Sequence, residues 1–524
     1  MTARSPADTA VTDADLQRQV LAFLDRSSFG PEKGGKRIDT HASMVFLGAD
    51  RALKIKRAVR LPFLDYSTLA KRKQACEEEL KVNARNAPEL YRRVIAITRN
   101  SDGAFEIDGA GAPVEWAVEM TRFDESQSLD QIAASKRIDP SLATALADAI
   151  VRSHDQAPPA GGDSWLTSIV PIIARNTAKF RAMRELDAAA VDQLDAASRD
   201  LSRTLQPLLR QRAGQGFVRR CHGDLHLANI ALVDGRPLLF DAIEFDPVIA
   251  TTDVLYDLAF PLMDLIHFDQ RAAASTVFNR YLAGTGEQNL DGLRLLPLFL
   301  SVRAAIRAHV LLVKSENAGE GDTARQQAAR YFDLARQLIA PPEPPLLVAI
   351  GGLSGTGKSV LARGLAGLIA PPPGAVIVRS DVVRKRLFGA KETTALPESA
   401  YRPDTSERVY GVLSSTAQRI LAQGCSVVLD AAYLQEAERR EIEDLATMCG
   451  ARFVGLFLTA DLATRLARIE QRRADASDAT PDVALKQETF AIGTVKWRMI
   501  DASGTPDQSL RNARVFLPVV LGDR

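Results

Sequence analysis

Cysteine is scarce in this chain of 524 residues, which contains four cysteines at widely separated positions. No C-x-x-C pair occurs, so the spacing gives no support to a structural zinc site. Isolated thiols of this kind are typical of proteins in a reducing compartment. We expect four free, partly buried thiols: Cys76, Cys221, Cys425 and Cys449.

The chain also has almost no excess of charge of either sign, and it has few aromatic side chains. The 66 basic and 65 acidic residues leave a formal net charge of +1, and aromatic residues make up 6% of the chain. The composition therefore argues against a large nucleic-acid-binding surface, and the net charge gives the protein no overall electrostatic attraction to membranes. Local basic clusters remain compatible with phosphate binding.

An apolar signal region is missing from the N-terminus, which is polar and acidic. The most apolar long run, residues 293–313, contains three arginines and one histidine. This run predicts a buried or amphipathic helix and not a membrane span. We therefore predict a cytoplasmic protein without a membrane partner, whereas the sequence does not indicate an oligomeric state.

The length predicts more than one domain, since about 150 residues per domain would give three. The clearest boundary is the segment 340–345, which contains four prolines. Such a segment cannot continue a helix and favours a stiff, extended spacer. We predict a first domain at 1–339, a linker at 340–345 and a second domain at 346–524.

A glycine-rich motif follows an apolar, strand-like run at the start of the second domain. Its pattern, G-x-x-x-x-G-K-S, lets backbone N–H groups surround phosphate oxygens, because glycines leave the approach open. Lys358 is expected to reach the outer phosphates and Ser359 to ligate Mg²⁺. A helix predicted at about 360–370 would point its positive end at the same phosphates. The residues assigned to this nucleoside triphosphate site are Gly352, Ser354, Gly355, Thr356, Gly357, Lys358 and Ser359.

Strand and helix signals alternate through the rest of the second domain. Strand-like runs lie at 375–378, 425–429 and 453–458, and a helical pattern lies at 406–422. This alternation predicts an α/β P-loop NTPase domain with a mostly parallel sheet covered by helices.

The first domain has a strand-rich beginning and a helical remainder. The predicted elements are a helix at 13–25 with Thr12 as its N-cap, strands at 44–47 and 52–55, a helix at 67–85 and a strand at 114–120. Helical patterns dominate afterwards, with an interruption near 217–245. We predict an α+β domain with a small lobe at about 1–120 and a helical lobe at about 121–339.

The interruption contains the segment H-G-D-L-H-L-A-N, in which Asp224 precedes Asn229 by five positions. This is the catalytic-loop spacing of protein kinases, so Asp224 is expected to accept the proton of an attacking hydroxyl and Asn229 to hold Mg²⁺. Asp234-Gly235 then predicts a β-hairpin. A hairpin returns Asp241 beside Asn229, where it would supply a second oxygen ligand.

A kinase-like site also needs a lysine on the nucleotide and an acid that holds this lysine. Lys54, on a small-lobe strand, and Glu79, in the following helix, fit these roles. Lys56 lies on the same strand face as Lys54, because side chains alternate along a strand. Glu78 remains an equally local alternative to Glu79.

Other polar residues near the loop have simpler interpretations. His222 and His226 lack a third metal ligand nearby, so we expect them to brace the backbone. Asp253 and Asp257 are candidate helix caps, and Asp253 is also the candidate for holding the catalytic loop.

With Asp241, the segment from His222 to Asn229 resembles the aminoglycoside phosphotransferase-like branch of the protein-kinase-like fold. Segments at 40–47, 63–65 and 79–83 are similar to a bacterial subgroup in which this two-lobed domain is fused to a C-terminal P-loop domain. The resemblance covers nearly the whole chain and implies an ATP-dependent phosphotransferase that uses Mg²⁺.

Two features depart from protein kinases. Asp241 is followed by Ala-Ile and not by Phe-Gly, so activation-loop switching is not implied. A G-x-G-x-x-G loop is missing from the small lobe, so Ser43 and the Gly48 turn would have to cover the phosphates.

The second domain resembles small P-loop kinases of the gluconate-kinase, polynucleotide-kinase and zeta-toxin groups. The resemblance implies that Asp381 is the base for an acceptor hydroxyl, that Arg384 binds the acceptor and that Asp430 lies near Mg²⁺. Arginines of a lid would neutralise the charge of the phosphates. The alternative interpretation of any one of these arginines is that it lies on a solvated helix face and has no contact with phosphate. The lid candidates are Arg465, Arg468, Arg472 and Arg473, of which we assign Arg468 and Arg472 to the nucleotide.

Three hypotheses of function follow. The first is a phosphotransferase with two ATP sites that acts on small hydroxylated acceptors. The second is a nucleotide-dependent switch in which one domain is catalytically silent. The third is a nucleic-acid end kinase, which the balanced charge and few aromatics disfavour.

Overall fold

A computed structural model describes residues 13–40, 42–61, 64–317, 321–341, 343–471 and 476–518. The chain forms two compact units. One contains Met1–Lys136, Arg152–Thr167 and Arg210–Leu258, and the other contains Arg137–Val151, Ser168–Leu209 and Ala259–Arg524. The predicted domain boundaries at 339 and 346 coincide with the end of one helix and the start of one strand, and the division itself stays a prediction.

The helices are α1 (Asp13–Asp25), α2 (Leu69–Asn83), α3 (Leu129–Ser135), α4 (Pro140–Gln156), α5 (Asp163–Arg181), α6 (Ala188–Thr204), α7 (Gln206–Gly214), α8 (Pro247–Ala250), α9 (Val254–His267), α10 (Arg271–Gly284), α11 (Leu296–Asn317), α12 (Gly321–Ile339), α13 (Lys358–Ala366), α14 (Ser380–Leu387), α15 (Pro403–Ala422), α16 (Glu436–Met448), α17 (Leu462–Glu470), α18 (Pro481–Gln487) and α19 (Pro506–Arg514). The strands are β1 (Lys36–Asp39), β2 (Ser43–Leu47), β3 (Arg51–Lys56), β4 (Arg60–Leu61), β5 (Leu64–Asp65), β6 (Tyr91–Arg99), β7 (Phe105–Ile107), β8 (Ala112–Thr121), β9 (Val218–Arg220), β10 (Ile230–Val233), β11 (Arg236–Leu239), β12 (Thr251–Asp253), β13 (Leu346–Gly352), β14 (Val376–Arg379), β15 (Val427–Asp430), β16 (Arg452–Thr459) and β17 (Arg498–Asp501).

The first unit is built on a six-stranded sheet in the order β1-β2-β3-β8-β6-β7, with antiparallel neighbours. Helix α2 packs against β8, β6 and β3, and α1 packs against β8. The apolar residues of β2 and β3 are buried, except for the half-buried Val45. This arrangement confirms the strand-rich small lobe.

The predicted hairpin is confirmed as β10 and β11, which pair from Ile230 with Leu239 to Val233 with Arg236. Its two-residue turn consists of Asp234 (φ 49°) and Gly235 (φ 74°). Both residues occupy the left-handed region, which matches the twist of a two-residue hairpin. The Phe240 N–H donates to the Asn229 carbonyl at 3.0 Å, so the two ends of the hairpin meet.

The helical part of the second unit includes the packed pair α11 and α12, both of which contact α6. One apolar segment in the described part of the chain, Leu290–Glu316, is long enough to cross a membrane by length and composition. Its most apolar 18-residue window has a mean hydropathy of 1.6, and 61% of that window is buried inside the protein. Burial of this extent agrees with the predicted core helix.

The second unit also contains a five-stranded parallel sheet in the order β14-β15-β13-β16-β17. Helices α13 and α19 share one apolar core with the sheet, as shown by the buried residues Val348, Leu365, Leu456 and Ala513. The parallel order confirms the predicted α/β P-loop architecture. All four cysteines are free, as expected.

Several elements differ from the sequence-based prediction. Helix α13 ends at Ala366 and not near 370, because the chain turns into Pro371, Pro372 and Pro373, which cannot extend a helix. Strands β6 and β17 and helix α14 had no predicted counterpart. The Thr12 cap lies outside the described residues.

Candidate functional site

A cluster of five charged groups occupies the centre of the first unit. The Lys54 and Lys56 ammonium groups, which share a strand face, lie 2.7 and 2.6 Å from the two carboxylate oxygens of Glu79. Lys54 also pairs with Asp241, and Lys56 pairs with Glu244. Burial alone would lower the pKa of Lys54, but Asp241 and Glu79 outweigh it and keep that pKa well above its ordinary value.

Glu79 is fully buried at the centre of this cluster. Burial would raise the pKa of its carboxyl, but the Lys54 and Lys56 charges dominate, so the pKa is lowered and Glu79 is ionised. The alternative acid, Glu78, instead pairs with Lys81 at 3.3 Å on the surface. Lys54 is therefore paired with Glu79 and not with Glu78.

The catalytic-loop segment brings Asp224 and Asn229 together. The Asn229 amide donates to the Asp224 carbonyl at 2.9 Å and to its carboxylate at 3.2 Å. His226 Nε2 lies 3.4 Å from the same carboxylate. Asp241, at the other end of the hairpin, has a left-handed backbone (φ 61°), and its N–H donates to the Tyr91 hydroxyl at 3.1 Å.

The catalytic-loop backbone is held by Asp257 and not by Asp253, which corrects the sequence-based assignment. Asp257 accepts the N–H groups of His222 at 3.3 Å and Gly223 at 2.8 Å. Asp253 instead forms a buried, bidentate pair with Arg212, at 2.7 and 2.8 Å, and accepts from the backbone of α9. The two acids belong to different elements, because Asp253 is the last residue of β12 and Asp257 lies in the first turn of α9.

His222 has the predicted bracing role, because its Nε2 lies 2.9 Å from the Phe240 carbonyl. Burial lowers the pKa of this imidazole. His154, Cys221 and Asp257 form a buried group of three potential metal ligands whose atoms lie within 4.8 Å of one another. Each of the three already has a hydrogen-bond partner in the protein, since His154 contacts Asp257, and the Cys221 thiol contacts the Thr252 carbonyl.

Ser43 and Gly48 lie at opposite ends of β2. Gly48 begins the turn between β2 and β3, where its N–H donates to the Arg51 carbonyl at 2.8 Å. Its carbonyl accepts from the Arg122 guanidinium. Ser43 and Gly48 are both buried, and the exposed residues of this turn are Ala49 and Asp50.

The phosphate-binding loop of the second unit connects β13 to α13. Gly352, Gly355 and Gly357 have φ of 134°, 84° and 93°, values that strain any residue with a side chain. A Cβ at Gly355 would also lie 2.7 Å from the Arg465 carbonyl. The Lys358 ammonium donates to the Gly352 and Leu353 carbonyls at 2.9 and 3.0 Å, so the lysine follows the inside of the loop.

The two predicted metal-binding side chains of this unit are in contact. The Ser359 hydroxyl donates to Asp430 Oδ2 at 2.5 Å. The Arg379 guanidinium contacts both groups: its Nε donates to Asp430 Oδ2 at 3.2 Å, and its Nη2 donates to Ser359 Oγ at 2.9 Å. The sequence had not marked Arg379, which is the last residue of an edge strand.

A cavity of about 1140 Å³ surrounds the loop and contains the predicted base and acceptor residues. Asp381 lies in it, and burial together with the Asp430 charge raises the pKa of the Asp381 carboxyl. Arg384 also lines it, but its guanidinium donates to the Ala400 carbonyl at 2.7 Å and lies 4.9 Å from the centre of the Tyr401 ring. Arg384 therefore helps to shape the wall of the cavity.

The lid arginines separate into different environments. Arg465 is buried and donates to the Ser354 carbonyl at 2.9 Å and to the Ala484 carbonyl at 3.2 Å, so it connects the loop to α18. Arg468 lines the cavity and donates to the Gly504 carbonyl at 2.8 Å. Arg472 and Arg473 lie outside the described residues.

Two other contacts at the sites had no signal in the sequence. The Gln487 amide oxygen accepts the N–H of Ser354 at 2.8 Å, within the phosphate-binding loop. Glu244 is buried beside Lys56 and accepts from the Tyr66 hydroxyl at 3.1 Å. Each contact joins residues more than 130 positions apart, so neither local spacing nor periodicity predicts it.

Two known families match separate parts of the chain. Residues 50–296 match the phosphotransferase enzyme family, and residues 347–490 match an AAA domain family. The chain is 27% identical over 488 residues to the uncharacterized protein Rv2004c of Mycobacterium tuberculosis (strain ATCC 25618 / H37Rv). It has the same identity to the uncharacterized protein Mb2027c of Mycobacterium bovis (strain ATCC BAA-935 / AF2122/97). Both alignments cover 91% of this chain and 94% of the relative.

Solved structures also give partial matches. A choline/ethanolamine kinase family protein from Mesorhizobium loti is 14% identical, with a TM-score of 0.38, and the match covers 62% of this chain and 96% of that one. A gluconokinase from Sinorhizobium meliloti 1021 is 18% identical, with a TM-score of 0.23, and the match covers 33% and 91% respectively.

Proposed function

We propose that this chain, which joins a domain of the phosphotransferase enzyme family to an AAA-family domain with a phosphate-binding loop, transfers the γ-phosphoryl group of ATP at two separate sites. The acceptors would be small hydroxylated molecules, one for each site. The cytoplasm remains the compartment that we expect, in keeping with the four free thiols.

The proposal rests on an arrangement of charged groups that occurs in both sites. In each site a carboxylate suited to a metal ion contacts a side-chain cation, as Asp241 contacts Lys54 and Asp430 contacts Arg379. Each site also contains a candidate base, Asp224 in the first and Asp381 in the second. Phosphoryl transfer needs these three parts, because the protein contributes mainly positioning and charge stabilisation.

The donor sets fit Mg²⁺ in both sites. Asn229 and Asp241 in the first, and Ser359 and Asp430 in the second, offer the hard oxygen ligands that this ion prefers. The cationic side chains already on Asp241 and Asp430 support this fit, since they mark positions where the protein favours positive charge. A bound Mg²⁺ would neutralise charge on the β- and γ-phosphates.

The residues of the two sites would then have separate roles. Lys54, positioned by Glu79, and Lys358, positioned by the loop carbonyls, would contact the phosphates. Asp224 and Asp381 would accept the proton of the attacking hydroxyl. The raised pKa of Asp381 brings its proton affinity nearer to neutral pH, which favours proton transfer. Arg468, on the cavity wall, would contact the nucleotide.

The test uses γ-labelled ATP, Mg²⁺ and a small-molecule extract with the full chain. A general base accelerates a reaction by about 10²- to 10⁴-fold. Asp224→Asn should therefore lower the rate at which one labelled product forms by at least about 10²-fold. Lys358→Ala should remove a different product, and Asp102→Asn, an exposed change, should remove neither. If a protein that carries both Asp224→Asn and Lys358→Ala still transfers label, the proposal is contradicted. Nucleotide binding without any label transfer would favour a switch.

A further inference from the structure

The Arg379 guanidinium contacts both of the groups predicted to bind a metal ion. It donates one hydrogen bond to Ser359 Oγ at 2.9 Å and another to Asp430 Oδ2 at 3.2 Å. Ser359 Oγ also donates to that same carboxylate oxygen at 2.5 Å. A single organic cation thus contacts both oxygen groups.

Burial makes this contact necessary. The Asp430 side chain is 6% exposed and that of Arg379 is 14% exposed. A carboxylate this deeply buried is costly without a nearby positive charge, and arginine supplies one at every accessible pH. Arg379 therefore neutralises Asp430 and orients Ser359.

We propose that Arg379 is a displaceable counter-cation of the phosphate-binding loop, which a divalent cation replaces on Asp430 and Ser359 when nucleotide binds. The inference rests on the proposed function of this site. Mg²⁺ binds oxygen ligands at short distances in near-octahedral geometry, so it would compete with the guanidinium for the lone pairs of these two oxygen atoms. The repulsion between the two cations opposes sharing as well.

Displacement would leave the positive charge inside the site. Arg379 stands two positions before Asp381, and its charge and that of Lys358 both act on the Asp381 carboxyl. A guanidinium fork matches phosphate oxygens. The arrival of the metal ion would thus place a second cation beside the phosphoryl group that is transferred.

The test measures Mn²⁺ binding to the full chain by electron paramagnetic resonance, without nucleotide. Every variant includes Asp241→Asn, which weakens the first site. Arg379→Met should bind one Mn²⁺ at least about tenfold more tightly than this background, because the competing cation is gone. Arg379→Gln should show the same gain, whereas Arg379→Lys should not. Adding Asp430→Asn should abolish the gain.

A second arm separates the two proposals. Mn²⁺–ADP binding to the background protein should be lost in Lys358→Ala, and if it is not, the proposed nucleotide site itself is wrong. If that loss is observed while neither Arg379→Met nor Arg379→Gln binds Mn²⁺ more tightly, the counter-cation proposal is overturned and the nucleotide site stands. Circular dichroism of each variant identifies unfolding, and the two neutral variants give independent chances of a folded protein.

Discussion

Two lysines share one buried carboxylate at the centre of the first unit. Glu79 is the only group that contacts both ammonium ions, while Asp241 and Glu244 each contact one within the described residues. This sharing gives Lys56 a structural role, because it holds Glu79 independently of Lys54. The residue-scale consequence is that the cluster depends on Glu79 more than on any other member.

We expect Glu79→Gln to destabilise the protein by about 3 kcal/mol, because two buried ammonium groups lose their shared counter-charge. Urea unfolding at pH 7 measures this loss. Glu78→Gln is the matched control, since its half-exposed side chain forms only a surface pair with Lys81, and it should change stability by less than about 0.5 kcal/mol. Equal effects of the two substitutions would contradict the assignment.

The same pair predicts a pH dependence with a definite sign. Folding lowers the pKa of Glu79 below its ordinary value of 4.5, so its stabilising contribution is complete above that pH and is lost as the pH falls further. The stability difference between wild type and Glu79→Gln should therefore shrink below pH 4.5. A difference that stays constant down to pH 3, by urea unfolding, would show that the charge of Glu79 is not the cause.

At the scale of elements, the β10–β11 hairpin connects the catalytic loop to Asp241. Its turn requires a left-handed backbone at Asp234 and Gly235. Asparagine and aspartate tolerate that region, and glycine enters it without cost. The short turn fixes the strand register, and the register decides where Asp241 lies relative to Asn229.

Gly235→Ala should cost about 1 kcal/mol in thermal or urea unfolding, because a Cβ at φ 74° is strained although nothing lies within 4 Å of it. Gly161→Ala is the control: it also has open space, but its backbone lies outside the left-handed region. That control should be neutral within about 0.5 kcal/mol. Equal costs would mean that space, and not backbone conformation, decides the outcome.

At the scale of the whole molecule, the helical segment before the prolines and the P-loop segment belong to one compact unit. Asn279 of α10 donates to the Ala375 carbonyl at 3.1 Å and accepts the Ile377 N–H at 2.7 Å, along the open edge of β14. Arg386 of α14 pairs with Glu287 at 2.6 Å. These contacts support the strand and helix that contain Arg379 and Asp381.

Asn279→Ala should therefore reduce hydrogen-exchange protection of the β14 amides, because Ile377 loses its partner at the sheet edge. The expected cost is about 1–3 kcal/mol, as for a buried polar group left unpaired. Thr276→Ala, on the same helix but bonded only within it, should leave protection unchanged. Unchanged protection in both variants would mean that the P-loop segment does not depend on α10.

The sequence by itself determined the two folds and most of the local sequence motifs of the two sites. The phosphate-binding loop, the Asp224–Asn229 spacing and the Asp234-Gly235 hairpin are local patterns, since their chemistry depends on neighbours within about ten positions. For that reason the P-loop sheet, the kinase-like lobe and the positions of Lys358 and Asp241 were predictable. The edge strand β17 had a weak signal, because three of its four residues are exposed.

Tertiary structure decided which distant groups meet. It paired Lys54 with Glu79 and not with Glu78, hydrogen-bonded the backbone of residues 222–223 to Asp257, and brought Arg379 into contact with Ser359 and Asp430. Several residues of suitable chemistry lay close together in the sequence in each case. The fold alone distinguished among them, since helix rotation and strand register set the direction of each side chain.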